Sequence, residues 1–263
     1  MTSNEPTRPE AAKPYPGFAQ SLLVLFLFFL FANLTAIPSL VFSHLKMHHW
    51  AAWALLFAQL GATALTLKVS LLLGNKEWAD AFPSRSVSWW TWLLTLLTMA
   101  GLLLIINGMD GWVSHLITPP DWYQELFKTM GWPSVVLGAA LSEEPIFRGL
   151  ILGGFILRYG PRKAVVYSAL LFGLIHLNLW QFPGAVMMGL FLGWLTLRSG
   201  SLWPAVFAHF LNNLGFTLTS SFQVTYFADQ RLQPLWMWGL GLCLGVLGLA
   251  ALFRTTQEIP PIE

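Results

Sequence analysis

The residues best suited to chemistry are two adjacent carboxylates followed by an arginine, within the apolar run LSEEPIFR at residues 141–148. Residues four apart share a helix face, so Glu144 and Arg148 are predicted to neutralise each other as a structural pair. Glu143 lies about 100° around the helix from Glu144 and has no such partner. Pro145 lacks a backbone N–H and predicts a local kink that admits water. Glu143 is therefore the predicted general base.

Two later apolar runs carry imidazoles at helical spacing. His176 follows Phe172 by four residues, so the phenyl ring is predicted to pack one turn below the imidazole. His209 and Asn213 are also four apart and are predicted to present two donors on one helix face. Such donors can stabilise a developing oxyanion. A base that activates water, together with oxyanion donors, is the equipment of a hydrolytic site.

The composition places these polar groups in a membrane. Of the 263 residues, 56% are hydrophobic and only 10% are charged, and the mean hydropathy is +0.61. Soluble domains carry about 25% charged residues. Ionisable side chains inside apolar spans are costly and mark functional sites by default. We therefore predict an all-α polytopic membrane protein.

The apolar runs predict a bundle of about eight transmembrane helices, because each crossing needs roughly 20 residues. The predicted spans are Phe18–Phe42, Trp50–Leu73, Trp89–Ile106, Trp132–Leu157, Ala164–Leu179, Phe182–Leu197, Leu202–Leu218 and Leu235–Phe253. The fifth and sixth are short and could dip into the membrane without crossing it. The loop Asn107–Gly131 is either a simple connector or contains an interfacial helix over Asp121–Met130.

The domain organisation follows from these spans. It comprises a disordered tail (1–17), N-terminal spans with the interfacial loop (18–131), a catalytic core (132–217), and a last span with the C-terminal tail (218–263).

Charge and cysteine content exclude other classes of protein. A net charge of +2, with no cluster of basic residues, does not fit a nucleic-acid-binding surface. The single cysteine, Cys243, excludes an intrachain disulfide and a Cys-rich metal site. Lys and Arg are more numerous in the predicted inner segments than in the outer loops, which predicts that both termini are cytoplasmic, most simply in the plasma (inner) membrane.

Three motifs taken together resemble those of the CAAX protease and bacteriocin-processing (CPBP, or Abi) family, which includes the type II CAAX prenyl endopeptidases. They are Glu143-Glu144-x-x-x-Arg148, Phe172-x-x-x-His176 and His209-x-x-x-Asn213. The resemblance implies intramembrane proteolysis in which Glu143 and His176 activate water and His209 and Asn213 bind the oxyanion. It also implies membrane lipid and a membrane-anchored or prenylated substrate as partners.

The resemblance leaves metal dependence open. Zinc is possible, with Glu143, His176 and His209 as its ligands, because Glu and His can bind this metal. The chain lacks the compact motif His-Glu-x-x-His, and the amide of Asn213 is a poor zinc ligand and a good oxyanion donor. Metal-free water activation without a cofactor is therefore the preferred prediction.

Two other classes of function compete with proteolysis. A non-catalytic scaffold or bacteriocin-immunity protein could use the same fold, and a proton-coupled transporter would also place Glu, Arg and His inside spans. No inverted repeat is visible, which disfavours the transporter. The predicted orientation places the polar chamber in the outer half of the bilayer, whereas cytoplasmic prenylated proteins would need access from the cytoplasm.

Overall fold

The computed structural model describes residues 14–123, 130–221 and 232–256. This part of the chain is mainly helical with short connections, and its only extended pairing is an isolated antiparallel bridge between Ser84 and Ser201. The prediction of an all-α protein is confirmed.

Ten helices, α1 to α10, can be numbered within the described ranges. They are α1 Phe18–Thr35, α2 Ile37–His44, α3 His48–Gly74, α4 Trp78–Ala81, α5 Trp89–Leu116, α6 133–159, α7 Pro161–Leu174, α8 Phe182–Ser199, α9 Trp203–Ser221 and α10 Leu235–Thr255. Helix α6 consists of four consecutive helical segments, Pro133–Gly138, Ala139–Glu144, Pro145–Ile151 and Leu152–Tyr159.

Within the described residues, four helical stretches are long and apolar enough to cross a membrane. They are Phe18–His44, which joins α1 and α2, and helices α3, α5 and α10. The count of about eight spans is not confirmed and stays a prediction. Helix α7 shows one reason, because its 14 residues reach only about 21 Å, whereas the hydrocarbon core is about 30 Å thick.

Helix α5 is longer than the sequence predicts. The third span was predicted to end at Ile106, but the helix continues to Leu116, so the first part of the predicted loop Asn107–Gly131 is helical. Gly108 and Asp110 interrupt the apolar pattern without ending the helix, because Gly108 packs directly beneath the ring of Trp238 on α10. Residues 121–123 are helical, and the rest of the predicted interfacial helix lies largely outside the described residues.

Helix α6 is the centre of the molecule and has an irregular backbone. Its segments Pro133–Gly138 and Pro145–Ile151 are π-helical and flank the α-helical turn that carries the two glutamates. The second π segment begins at Pro145, which has no N–H to donate to the carbonyl four residues earlier. The predicted irregularity at Pro145 is therefore present, and π turns of this kind frequently occur at functional sites.

The main apolar core packs around the second half of α6. Ile146, Phe147 and Ile151 are fully buried there, together with residues of α1, α3 and α7. Tyr15 also belongs to this core and is only 8% exposed, and Pro16 contacts Gly154 of α6. The end of the predicted N-terminal tail therefore packs against the core, and residues 1–13 lie outside the described part of the chain.

Candidate active site

A buried carboxylate, Glu144, connects α6 to α9. Its Oε1 accepts a hydrogen bond from Arg148 Nη1 at 3.2 Å, which is the ion pair that the i, i+4 spacing predicts. The same oxygen lies 2.7 Å from Nδ1 of His209, a contact that the sequence did not predict. The side chains of Glu144 and Arg148 are fully buried. Glu144 therefore holds both the cation of its own helix and an imidazole from another.

The contact with Glu144 determines how His209 can act. An ionised carboxylate only accepts hydrogen bonds, so Nδ1 of His209 is the protonated nitrogen of this pair. The other ring nitrogen, Nε2, is then an acceptor in the neutral ring and a donor in the imidazolium form. His209 is 4% exposed and lines a cavity. Glu144 thus fixes the orientation of His209 from behind.

His176 lies just beyond the end of α7 and not within a long span. Helix α7 ends at Leu174, five residues before the predicted end of the fifth span. Leu177 next to His176 has a positive φ of 54°, a left-handed conformation that costs a residue with a β-carbon about 1–2 kcal/mol. The chain therefore turns sharply at the predicted catalytic histidine.

Hydrogen bonds hold this turn in place. Nδ1 of His176 donates to the carbonyl of Phe172 at 2.8 Å, which leaves Nε2 as the acceptor nitrogen of the neutral ring. The side chain of Asn178 donates to the carbonyl of His176 at 2.9 Å and accepts from the backbone of Gln181 at 2.8 Å. The ring of His176 is thus fixed with a single nitrogen available to a substrate or a water.

The ring of Phe172 lies between the two histidines. It makes edge contacts with His176 and His209, with ring centroids 5.3 and 5.7 Å away, so the predicted packing against His176 is present. The guanidinium carbon of Arg148 lies 4.3 Å from the centroid of the same ring. Phe172 therefore contacts both imidazoles and the guanidinium of the buried ion pair.

Asn213 lies one turn beyond His209 on α9, as predicted. Its side-chain nitrogen donates to the carbonyl of Val135 on α6 at 2.9 Å, and its oxygen accepts from Asn212 at 3.2 Å. An amide nitrogen carries two N–H groups, so one remains for another acceptor.

A cavity of about 110 Å³ brings most of the predicted site residues together. His176, His209, Asn213 and Phe172 all line it. Glu143 is not among the lining residues; it is partly buried on α6, and its Oε2 has no hydrogen-bond partner among the described residues. The structure therefore assembles the two histidines and the amide, with Glu143 on the adjoining helix.

The cavity also contains polar residues that the sequence did not single out. They are Asn107, Asp110, Tyr123, Gln181 and Asn212. Burial raises the pKa of the Tyr123 hydroxyl above its usual value, and the carboxyl of Asp110 raises it further. Asn107 and Asp110 were assigned to a loop. Their i, i+3, i+4, i+7 spacing with Leu103 and Ile106 could have indicated a continued helix face.

The proposed zinc ligands do not form a metal site in this arrangement. No three His, Cys, Asp or Glu side chains among the described residues are grouped closely enough to share a metal. Of the three possible ligands, Glu143 lies outside the cavity lining, whereas His176 and His209 both line it. The described side chains of Glu143, His176 and His209 are therefore not grouped around one metal position.

The helices and this cavity together describe an all-helical protein with features of an integral membrane protein and a buried site of two histidines and an amide. Residues 125–215 match the family model of Rce1-like type II CAAX prenyl endopeptidases, a protease family. The match covers about a third of the 263 residues and contains all three predicted motifs, so the resemblance is confirmed over this segment. No curated protein and no solved structure matches the chain.

Proposed function

We propose that this protein is an intramembrane endoprotease that hydrolyses a peptide bond of a membrane-associated, prenylated substrate. The observation that carries the proposal is the shared cavity of His176, His209 and Asn213, which come from two different helical regions. The match of residues 125–215 to a prenyl endopeptidase family supports the type of substrate.

Water activation is assigned to Glu143 and His176. The accepting Nε2 of His176 can hold a water molecule within the cavity, because Nδ1 is occupied by the carbonyl of Phe172. Glu143, on helix α6 beside the cavity, is assigned to take a proton from this water as the oxygen attacks the substrate carbonyl carbon, and this requires its side chain to turn into the cavity. Its Oε2 has no hydrogen-bond partner among the described residues, which supports this role.

The tetrahedral intermediate needs donors for its negative oxygen, and His209 and Asn213 are assigned to it. Asn213 offers its second N–H to this oxygen. His209 offers Nε2–H in its protonated form, whose positive charge is balanced by the carboxylate of Glu144. When the C–N bond breaks, the proton on Glu143 passes to the leaving nitrogen. The products are a new carboxylate and a free amine.

The protein is proposed to cross the membrane about eight times, with both termini in the cytoplasm. The four long apolar stretches supply part of this count, and helices α6 to α9 supply the rest. Helices in the interior of a bundle can carry the polar residues of a site because neighbouring helices shield them from lipid.

A comparison of membrane proteomes tests the function itself. Membranes from cells that produce the active chain should contain protein fragments with new C-termini that are missing when the Glu143→Gln variant is produced at the same level. Quantitative C-terminal peptide mapping measures this difference. A scaffold or immunity protein would give identical C-termini in both samples and an undiminished biological effect of the variant.

Metal-free catalysis is a separate part of the proposal, and it predicts resistance to chelators. Because the three possible zinc ligands are not grouped around one position among the described residues, incubation of the purified protein with EDTA or phenanthroline should leave its hydrolytic rate unchanged within about twofold. Elemental analysis of the same sample is the control. Stoichiometric zinc, together with loss of activity on its removal and recovery on its return, would contradict the proposal.

A further inference from the structure

One end of the cavity is formed by the second half of α5. Leu103, Ile106, Asn107 and Asp110 line it from one face of this helix, and Tyr123 and Gln181 also line the cavity. All of these residues except Gln181 precede the segment that matches the protease family. This end of the cavity is therefore a feature of this chain that the family match does not supply.

At this end of the cavity, Asp110 is the residue with an unsatisfied carboxyl oxygen. Its Oδ1 is buried and has no hydrogen-bond partner among the described residues. A β-carbon at Gly184, in the first turn of α8, would lie 2.9 Å from this oxygen, so the glycine leaves room for the carboxyl group. An unsatisfied buried carboxyl oxygen is costly unless it binds something.

The charges around the cavity indicate what it binds. Among the described residues, no Lys or Arg lines the cavity, and the nearby guanidinium of Arg148 is bound to Glu144. The positive end of α8 favours a carboxylate at Asp110 but donates no hydrogen bond to Oδ1. Oδ1 of Asp110 can therefore accept a hydrogen bond from a further donor, best a cation.

We propose that Asp110 is a specificity-determining residue that binds a basic side chain of the substrate close to the scissile bond. This inference rests on the proposed proteolysis and adds a preference for Lys or Arg in the peptide. A charge-assisted hydrogen bond to a buried carboxylate should favour such a peptide by about 10- to 100-fold over an uncharged peptide of the same shape.

Fluorogenic farnesylated peptides ending in Cys-a-a-X test this preference. In separate peptides, each position next to the cleaved bond is occupied by Lys, norleucine or Glu. Norleucine is the comparison for Lys because it has nearly the same length but no charge. We expect the wild-type kcat/KM for Lys to exceed that for norleucine by about tenfold or more at one position, with Glu the poorest. Asp110→Asn should bring the ratio of Lys to norleucine close to one.

Asp121→Asn is the matched control, because it removes an exposed carboxylate that does not line the cavity. It should keep the wild-type preference. If Asp110 only stabilises the packing of α5 against the start of α8, Asp110→Asn should lower the thermal stability and leave the ratio of Lys to norleucine unchanged. That outcome would overturn the inference. If Asp110→Asn does not accumulate, the wild-type ratio decides, since a ratio near one also overturns it.

A binding measurement separates this inference from the proposed function. In the Glu143→Gln background, the Lys peptide should raise the thermal unfolding temperature more than the norleucine peptide does, and Asp110→Asn should abolish the difference. If wild-type protein cleaves no peptide but this difference is present, the proteolytic function fails and the basic-group site remains. Equal stabilisation by both peptides would show that Asp110 does not form a site for a basic group, whether or not cleavage occurs.

Discussion

Replacing Glu143 by glutamine should lower kcat by about 10²- to 10⁴-fold, because glutamine has the same shape but cannot accept a proton from water. KM should change little, because glutamine keeps the shape of the side chain and Glu143 is assigned to the attacking water and not to substrate binding. The fold should be retained, because no described residue depends on Oε2 of Glu143 for a hydrogen bond. Steady-state kinetics with a fluorogenic peptide, together with a thermal unfolding curve, measure both effects.

Glu77→Gln is the matched control for this variant, because Glu77 is an exposed glutamate at the start of α4 and far along the chain from the site. It should retain wild-type kcat. Activity of Glu143→Gln within a few-fold of wild type would show that another group is the base. A variant that fails to fold would instead show that Glu143 has a structural role.

Arg148→Ala should cost about 3–5 kcal/mol in the free energy of unfolding, because it leaves the buried carboxylate of Glu144 without its cation. The guanidinium also contacts the ring of Phe172 and donates to the carbonyl of Gly189 at 3.4 Å. Such a loss is comparable to the total stability of many proteins, so little folded protein should accumulate. Chemical denaturation of the purified protein and the yield from membranes are the measurements.

Arg162→Ala provides the control, since Arg162 is exposed at the start of α7. It should change the free energy of unfolding by less than about 0.5 kcal/mol. The double variant Glu144→Gln/Arg148→Met removes both charges and should recover much of the lost stability. Its activity should stay low, because Glu144 also orients His209. Equal stability of wild type and Arg148→Ala would contradict the structural role of the pair.

Local spacing predicted the contacts that lie within one helix. Glu144 pairs with Arg148 because residues four apart on a helix meet regardless of the rest of the fold. Phe172 also packs against His176, although His176 lies in the turn just after α7. A local kink was predicted at Pro145 because the effect of its missing N–H on the helix is local. The choice of candidate catalytic residues and the prediction of a membrane protein likewise follow from the sequence, since they depend on short motifs and on composition.

Helix ends were predicted less well where tertiary packing opposes local hydropathy. Helix α5 continues through Gly108 and Asp110, because Trp238 covers the glycine and the carboxyl faces an interior cavity. A prediction from hydropathy takes the polarity of Asp110 into account but contains no information on the packing of α8 and α10 against this part of the helix. The same limitation moved His176 from the end of a predicted span into the turn after α7.

The sequence by itself determined which side chains can perform hydrolysis and that they must lie in an apolar, helical protein, because residue type, spacing and hydropathy are local properties. Only the tertiary structure decided that Glu144 binds His209 across 65 residues, that Asn213 reaches the carbonyl of Val135, and that Asp110 shares their cavity. Those contacts depend on how α5, α6 and α9 pack, and packing is set by interlocking side chains far apart in the chain.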